Sequence, residues 1–410
     1  MNILLITNLY PGYEEQPNNE IPHVVHYYAR RWLELGHQVR VIRLWPRYCP
    51  WAANMLKKND RMLAQRAFPY DFVLDGVKVS RIPVKKPPII DYFSRHIREA
   101  AEKINEYLQH DGGFTPDVIL CHALNPQAFI AEIVRASFAV PLVAVLHTVD
   151  IKDLLRKRRF VRRCMQLFGE TAALGFRSPE IKRNFYRIMT EATGGNDVPR
   201  HSHETSGFVI PSGVEASEVL DHETFMRKAS NRISRITLAA NLIARKHVDS
   251  LLRAFARLCD EFDLRLRIIG NGPEFDRLLA LSRTLAIEER VEFTGYRERR
   301  DVFREMEASE LFILISSKET FGLVYVEAMA KGCLVIGSRD EGIQGTIGHG
   351  RNGFLCKAGD DLELEALMRQ VLRLTEAERR EILLRARETV LGLTQERLSD
   401  TYLDILRSCL

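Results

Sequence analysis

The chain has 410 residues, with 59 Lys and Arg against 54 Asp and Glu and 46% hydrophobic residues. That length predicts about two or three domains with sizeable cores, while charged and aromatic fractions of 28% and 9% exclude disordered, collagen-like and coiled-coil classes. The net charge of +5 is unevenly placed: residues 1–205 carry 29 bases and 21 acids, residues 206–410 carry 30 and 33, and such asymmetry points to a membrane or polyanion facing one half. No run reaches the ~18 apolar residues of a spanning helix, and the opening apolar run, residues 1–7, is too short for a secretory signal and lacks a basic flank. A cytoplasmic location is expected. Seven scattered cysteines without a C-x-x-C pair predict reduced thiols rather than a disulfide framework or a zinc site.

In chain order, residues 3–7 read as a strand, 8–22 as a polar loop, 23–35 as an amphipathic helix ended by Gly36, and 39–44 as the next strand, a βαβ unit. Strand-like runs follow at 77–82, 118–121 and 141–147, separated by helical patterns at 91–108 and 126–136. Residues 193–206 (TGGNDVPRHSHETS) form a loop beside a domain junction. The alternation then restarts, with strands at 236–240, 264–269, 291–294, 311–315 and 334–336 and helices at 248–262 and 273–286. A closing amphipathic segment, residues 394–408, has no strand after it and is free to pack back on the first domain. The expected architecture is α/β: two doubly wound, Rossmann-like domains at 1–207 and 208–392, then a returning helix within 393–410. Ligands are expected in a cleft faced by the carboxyl ends of both sheets.

The densest chemical signal is SSKETFGLVYVEAMAKG, residues 316–332. It follows the apolar strand 311–315, so Glu319, Thr320, Phe321 and Gly322 occupy a strand-to-helix loop. Backbone N–H groups at the helix start, around Phe321, Gly322 and Leu323, suit a phosphate. Glu319 and Glu327 bracket this start, at most roughly 12 Å apart along a helix. That exceeds the roughly 5 to 9.5 Å of a glycosidase acid pair and suits a ligand with hydroxyls at both ends and phosphates between; solvated helix-end charges are the bland alternative. In AANLIARKHV, residues 239–248, Arg245 and Lys246 sit at a strand's carboxyl end, where they can neutralise a diphosphate leaving group. Gly270 and Gly272, in a Gly-Asn-Gly-Pro strand-to-helix turn, are added as donor-side candidates.

The pattern from residue 239 to 359 resembles the donor-binding domain of GT-B fold glycosyltransferases, in particular the retaining enzymes of glycosyltransferase family 4. The hallmark Glu-x7-Glu is matched by Glu319 and Glu327 in ETFGLVYVEAMAKG, and IGSRDEGIQGTIGHGRNGFL, residues 336–355, is similar to the stretch that follows. In the first half NLYPG, GHQVRVI, LHTVD and then FVIPSGVE have counterparts in the family. The resemblance implies that Lys246 binds donor phosphate, Glu327 the ribose hydroxyls and Glu319 the hydroxyls of the transferred sugar. It implies that amides from Thr320 to Leu323 hold the diphosphate, and that Tyr296 meets the base through its backbone. His147 in LHTVD falls where the family has a His directed from the acceptor domain at the reacting sugar, with Asp150 as its helper. Departures from the pattern are Asn241 in place of an Arg, Asn18, Asn19, Glu20 and Ile21 in place of a Gly pair, and Ser212 in place of an Asn.

No Asp-x-Asp occurs, so no metal or other cofactor is expected, and His201 and His203 supply too few ligands for a metal site. Residues 152–163, KDLLRKRRFVRR, hold seven bases (Lys152, Arg156, Lys157, Arg158, Arg159, Arg162 and Arg163) and one acid, Asp153. They read as a basic amphipathic helix on anionic lipid, with a solvated face as the alternative and nucleic acid disfavoured. The expected protein is a retaining, metal-independent hexosyltransferase, peripheral on the inner face of the plasma membrane. It would use a nucleotide-diphosphate sugar, foremost a UDP-sugar, and a glycan or lipid-linked acceptor in surface polysaccharide synthesis. The rivals are a GT-B nucleotide-sugar epimerase and a non-catalytic sugar-nucleotide-binding subunit.

Overall fold

A computed structural model describes residues 1–14, 16, 23–48, 70–87, 91–110, 113–156, 158–193 and 207–410. The chain divides into two compact units: Met1–Arg177 with Ile181–Ile210 and Leu398–Leu410 form the first, and Ser178–Glu180 with Pro211–Arg397 the second.

The first unit runs β1 (Asn2–Thr7), α1 (Val24–Glu34), β2 (Gln38–Arg47), β3 (Asp71–Leu74), β4 (Val77–Lys85), α2 (Ser94–His110), β5 (Val118–His122), α3 (Phe129–Phe138), β6 (Leu142–Leu146), α4 (Thr148–Arg156), α5 (Arg158–Glu170), β7 (Ala173–Phe176), α6 (Pro179–Thr193) and β8 (Phe208–Val209). The sheet order is β3-β4-β2-β1-β5-β6-β7-β8. The β5 and β6 runs, VILCH and LVAVL, are buried at every residue, as expected of parallel strands with helices on both faces. The β3–β4 hairpin, absent from the sequence reading, is the one antiparallel pair in this sheet among the described residues. Its turn is Asp75-Gly76, both with positive φ, the Asp-Gly chemistry that a two-residue hairpin demands.

The second unit runs α7 (His222–Ser230), β9 (Arg235–Ala239), α8 (Val248–Ala256), β10 (Arg265–Ile269), α9 (Phe275–Thr284), β11 (Val291–Gly295), α10 (Arg299–Ala308), β12 (Leu311–Ile313), α11 (Leu323–Ala330), β13 (Leu334–Ser338), β14 (Phe354–Cys356), α12 (Asp361–Leu372) and α13 (Glu376–Leu391). Its six strands, in order β11-β10-β9-β12-β13-β14, are all parallel. Buried Lys228 on α7 donates from Nζ to the carbonyls of Met306, Glu307, Ser309 and Lys331 at 2.6–3.1 Å. One cation thus ties the carboxyl ends of α10 and α11, where the helix dipole favours positive charge.

The final helix, α14 (Gln395–Ser408), belongs to the first unit from Leu398 onward. Trp32 of α1 donates its indole N–H to the Ser399 carbonyl at 3.0 Å, and its ring packs edge-on to Tyr402.

In each sheet the winding direction reverses once, between β1 and β5 in the first unit and between β9 and β12 in the second. Connections leave such a point in opposite directions, so the loops at the carboxyl ends of the two strands part and leave a crevice for ligand.

Candidate active site

At the second reversal point the loops after β9 and β12 meet. Lys246 ends a single 3-10 turn, Ala244–Lys246, and its buried Nζ donates to Glu319 Oε2 at 2.5 Å. Arg245 Nη1 and Ser316 Oγ reach the same oxygen at 3.4 and 3.1 Å. All three donors fall on Oε2, and Oε1 has no partner among the described residues. The carboxylate is thereby anchored at one oxygen and open to a hydroxyl donor at the other. The two loops are also sewn along the backbone, with the Ser317 amide on the Arg245 carbonyl at 2.8 Å and Ser317 Oγ 3.0 Å from His247 Nε2.

A third segment holds the loop from behind. Glu341 accepts the amides of Lys318 and Glu319 at 2.8 and 2.7 Å, one on each carboxylate oxygen. Lys318 has φ 58, the left-handed turn that brings successive N–H groups into a small anion nest. Gly342 presses on Thr320 so closely that a Cβ would lie 2.2 Å from the Thr320 carbonyl oxygen.

Gly322 caps α11 with φ 80, and the Tyr325 ring fills the place of its missing side chain, 2.4 Å from an ideal Cβ. The buried Tyr325 hydroxyl donates to the Leu314 carbonyl at 2.8 Å and lies 3.2 Å from Ser316 Oγ, so glycine, tyrosine and serine form one support under Glu319. The amides of Phe321, Gly322 and Leu323 have no acceptor among the described residues. A helix start with unclaimed N–H groups beside a Lys and an Arg can hold a polyanion.

At the start of the second turn of α11, Glu327 accepts Arg299 Nη2 and Nε at 3.0 and 3.2 Å. Burial raises the Glu327 carboxyl above its ordinary range, and the Arg299 guanidinium opposes that rise. Arg299 lies over the Phe303 ring and also reaches Glu215 at 3.5 Å.

In the first unit, His147 follows β6 and Asp150 lies in the first turn of α4. Asp150 accepts the His147 amide at 2.7 Å on Oδ2 and the Leu124 amide at 2.9 Å on Oδ1. Its carboxyl is pushed up to about 7 by burial, against the downward pull of those two N–H donors. His147 Nε2 lies 3.1 Å from Nδ1 of buried His122 at the end of β5, and His122 Nε2 lies 3.3 Å from the Tyr402 hydroxyl of α14. Burial, reinforced by Arg177, lowers His147 to about 3.

Two family profiles match the chain, "Glycosyl transferase 4-like domain" over residues 21–174 and "Glycosyl transferases group 1" over residues 228–388. The chain carries a 4-like and a group 1 glycosyltransferase domain. Its fold is GT-B. An Anabaena HepE structure in complex with UDP aligns with TM-score 0.67 and 18% identity over all of both chains, and a sucrose-phosphate synthase from Thermosynechococcus elongatus with 0.68 and 17% over 100% and 99%. An N-acetyl-alpha-D-glucosaminyl L-malate synthase from Bacillus anthracis is 41% identical over 145 residues, 35% of this chain and 37% of that protein. The lipopolysaccharide core biosynthesis glycosyltransferase LpsE from Rhizobium meliloti is 31% identical over 167 residues, 40% and 47%. The chain thus spans less than half the length of either relative. The group 1 profile contains Lys246, Arg245, Arg299, Glu319, Glu327 and Glu341, and the 4-like profile contains His122, His147 and Asp150.

The structure bears on several further expectations from the sequence. Gly270 and Gly272 are explained by packing: a Cβ would lie 1.8 Å from the Ala240 carbonyl oxygen at one and 2.4 Å from that of Leu242 at the other. Asn271 between them accepts the Leu242 amide at 2.9 Å, so the pair braces the loop that carries Lys246. Tyr296 is exposed directly after β11. The basic stripe is two helices, α4 and α5, rather than one. Leu154, Phe160 and Val161 are buried in the core with Ile151 and Leu167, so they offer no apolar face to lipid; Val149 and Leu155 are the large apolar side chains of α4 that are exposed. Among the described residues no helix is long and apolar enough to cross a membrane, and no group of three His, Cys, Asp or Glu could hold a metal. The six described cysteines are all unpaired thiols. His201, His203, Lys157 and the Asn18 to Ile21 substitution lie outside the described residues.

Sequence reasoning missed Arg299, Ser316, Glu341, His122 and Tyr402. A signal existed for His122, a strand-end His like His147, and for Glu341, which sits inside the quoted stretch DEGIQG. Tyr402 had none beyond its amphipathic helix.

Proposed function

We propose that the protein is a retaining, metal-independent hexosyltransferase using a nucleotide-diphosphate sugar, with a UDP-sugar as first choice, and a glycan or lipid-linked acceptor in surface polysaccharide synthesis. One observation carries this reading: Lys246, Arg245 and the half-open carboxylate of Glu319 converge beside the unclaimed amides of Phe321, Gly322 and Leu323. Charge neutralisation at a leaving diphosphate is where a site without a metal must lower the barrier.

In the proposed step the anomeric carbon loses its bond to the leaving phosphate oxygen and gains one to the acceptor hydroxyl oxygen. The hydroxyl proton passes to the departing phosphate on the same face, which retains configuration. Lys246, Arg245 and the loop amides take up the negative charge of the nucleoside diphosphate. The phosphate displaces Glu319 from Lys246, and Glu319 then accepts from a sugar hydroxyl while Glu327 accepts from the ribose. The choice of UDP draws on the UDP-bound Anabaena protein, and surface polysaccharide on the LpsE relative.

Nucleoside diphosphate release should be measured over a panel of nucleotide sugars with and without glycan and lipid acceptors. Acceptor-dependent release supports the proposal. Release independent of acceptor indicates hydrolysis or epimerisation, and binding without release a sugar-nucleotide-binding subunit. Association with the inner leaflet is proposed to be electrostatic, through the bases at 152–163. It should be lost on flotation with anionic liposomes when Arg156, Arg158 and Arg159 are changed to Ser; unchanged binding rejects it.

A further inference from the structure

Tyr402, His122 and His147 form a chain of polar contacts within the first unit. Tyr402 and His122 are both fully buried. The Tyr402 ring meets those of Trp32, Tyr28 and Phe208, and among the described residues the one acceptor its hydroxyl meets is His122 Nε2, at 3.3 Å. A buried O–H without an acceptor forfeits the hydration it had in the unfolded chain, so the phenol donates to Nε2. A neutral imidazole carries one proton, and the proton of His122 is therefore on Nδ1. Nδ1–H faces His147 Nε2 at 3.1 Å and donates to it, which leaves the proton of His147 on Nδ1. Burial keeps both rings neutral, with His147 down to about 3. Asp150 holds the backbone of the same residue through its amide.

We infer that His122 and Tyr402 are positioning residues that fix His147 as an Nδ1–H donor, so that His147 holds a substrate oxygen by donation and does not act as a base. The inference rests on His147 being a site residue of the proposed transferase. The Nδ1 atom has no partner among the described residues, as a donor reserved for a ligand requires. The ligand group this selects is a hydroxyl or carbonyl oxygen of a sugar. A substrate N–H would meet a second donor and be rejected.

The test is long-range 1H–15N NMR of the histidine rings in uniformly labelled full-length protein at neutral pH, with the His147 signals assigned by their loss in His147→Gln. The expected spectrum has a protonated Nδ1 and an unprotonated Nε2 on His147. In His122→Phe the proton should move to Nε2, the tautomer preferred by an unconstrained imidazole, and kcat should fall about tenfold or more with donor KM little changed. His122→Asn, whose amide can donate from about the same place as Nδ1, should restore both tautomer and kcat. Tyr402→Phe should give a mixture of tautomers. A wild-type His147 protonated on Nε2, or an unchanged tautomer in a folded His122→Phe protein, overturns the inference. Because the spectra need no turnover, they decide it even if no transfer is found, an outcome that would count against the transferase reading alone.

Discussion

Glu319 and the donor phosphate are expected to compete for one ammonium group. Lys246 Nζ sits 2.5 Å from the carboxylate in the place where a phosphate oxygen would bring more negative charge. Glu319→Gln removes the competitor and keeps the shape, so UDP should bind as tightly as to wild type or tighter, while transfer falls by roughly 100-fold or more. Calorimetry with UDP and a turnover assay check the two halves separately. Weaker UDP binding in the variant would contradict the competition. This much of the site was legible in the sequence, because Glu319, Glu327, Arg245 and Lys246 lie in short motifs next to strand ends. Arg299 was not, since it stands in no chemically distinctive local pattern, and Glu341, although inside the quoted stretch DEGIQG, was passed over because the amides it holds belong to the segment at 318–319.

At the scale of elements, α11 is placed by its two ends. Its carboxyl end is tied to that of α10 through Lys228, whose ammonium meets four carbonyls. Lys228→Met keeps the apolar stem but abandons those carbonyls in the interior and should cost about 2–4 kcal/mol, read as a lower urea midpoint. The amino end depends on Gly322. Gly322→Ala adds backbone strain at φ 80 and a clash with Tyr325, and should displace Tyr325, Ser316 and then Glu319, weakening UDP binding as well as stability. Gly350→Ala is the control: its φ is 72 but nothing lies within 4 Å of the added Cβ, so it should cost about 1–2 kcal/mol of strain and leave UDP binding alone. The elements read from periodicity kept their helix or strand identity, while the short strands β3, β7, β8 and β14 and the helices α6, α7, α10, α12 and α13 were not read. The split of residues 152–163 into α4 and α5 was not, because composition does not reveal that Phe160 and Val161 serve the core.

At the scale of the whole molecule, the first unit encloses imidazoles that cannot readily take up a proton. His26 and His122 are lowered chiefly by burial, and His147 to about 3 by the same cause. With folded values below the unfolded ~6.5, the unfolded chain gains protons first, so the stability these groups contribute is full above about pH 6.5 and is lost as pH falls below it, for His147 down to about 3 at roughly 1.4 kcal/mol per pH unit. Asp150, raised to about 7, acts in the opposite sense, losing stability as pH rises from about 4 to 7, and offsets part of the histidine loss. The net expectation is a lower melting temperature at pH 5 than at pH 7. His122→Phe should flatten that slope; an unchanged slope would show that His122 binds its proton alike in the folded and unfolded chain.

The sequence by itself determined two doubly wound α/β domains, a glycosyltransferase resemblance and the motif residues Arg245, Lys246, Glu319 and Glu327 as candidates, because strand periodicity and strand-end chemistry are written in consecutive residues. Its opening charge asymmetry remains a property of composition, with the basic stripe now resolved into two helices whose apolar residues largely belong to the core. Only the tertiary structure decided what each motif residue touches. The crossover between β9 and β12 put Lys246 against Glu319, the 340–342 turn put Glu341 behind the loop, and the return of α14 put Tyr402 on His122. Those contacts join segments 22 to 280 residues apart. They follow from the order in which strands wind into a sheet, which local patterns do not encode.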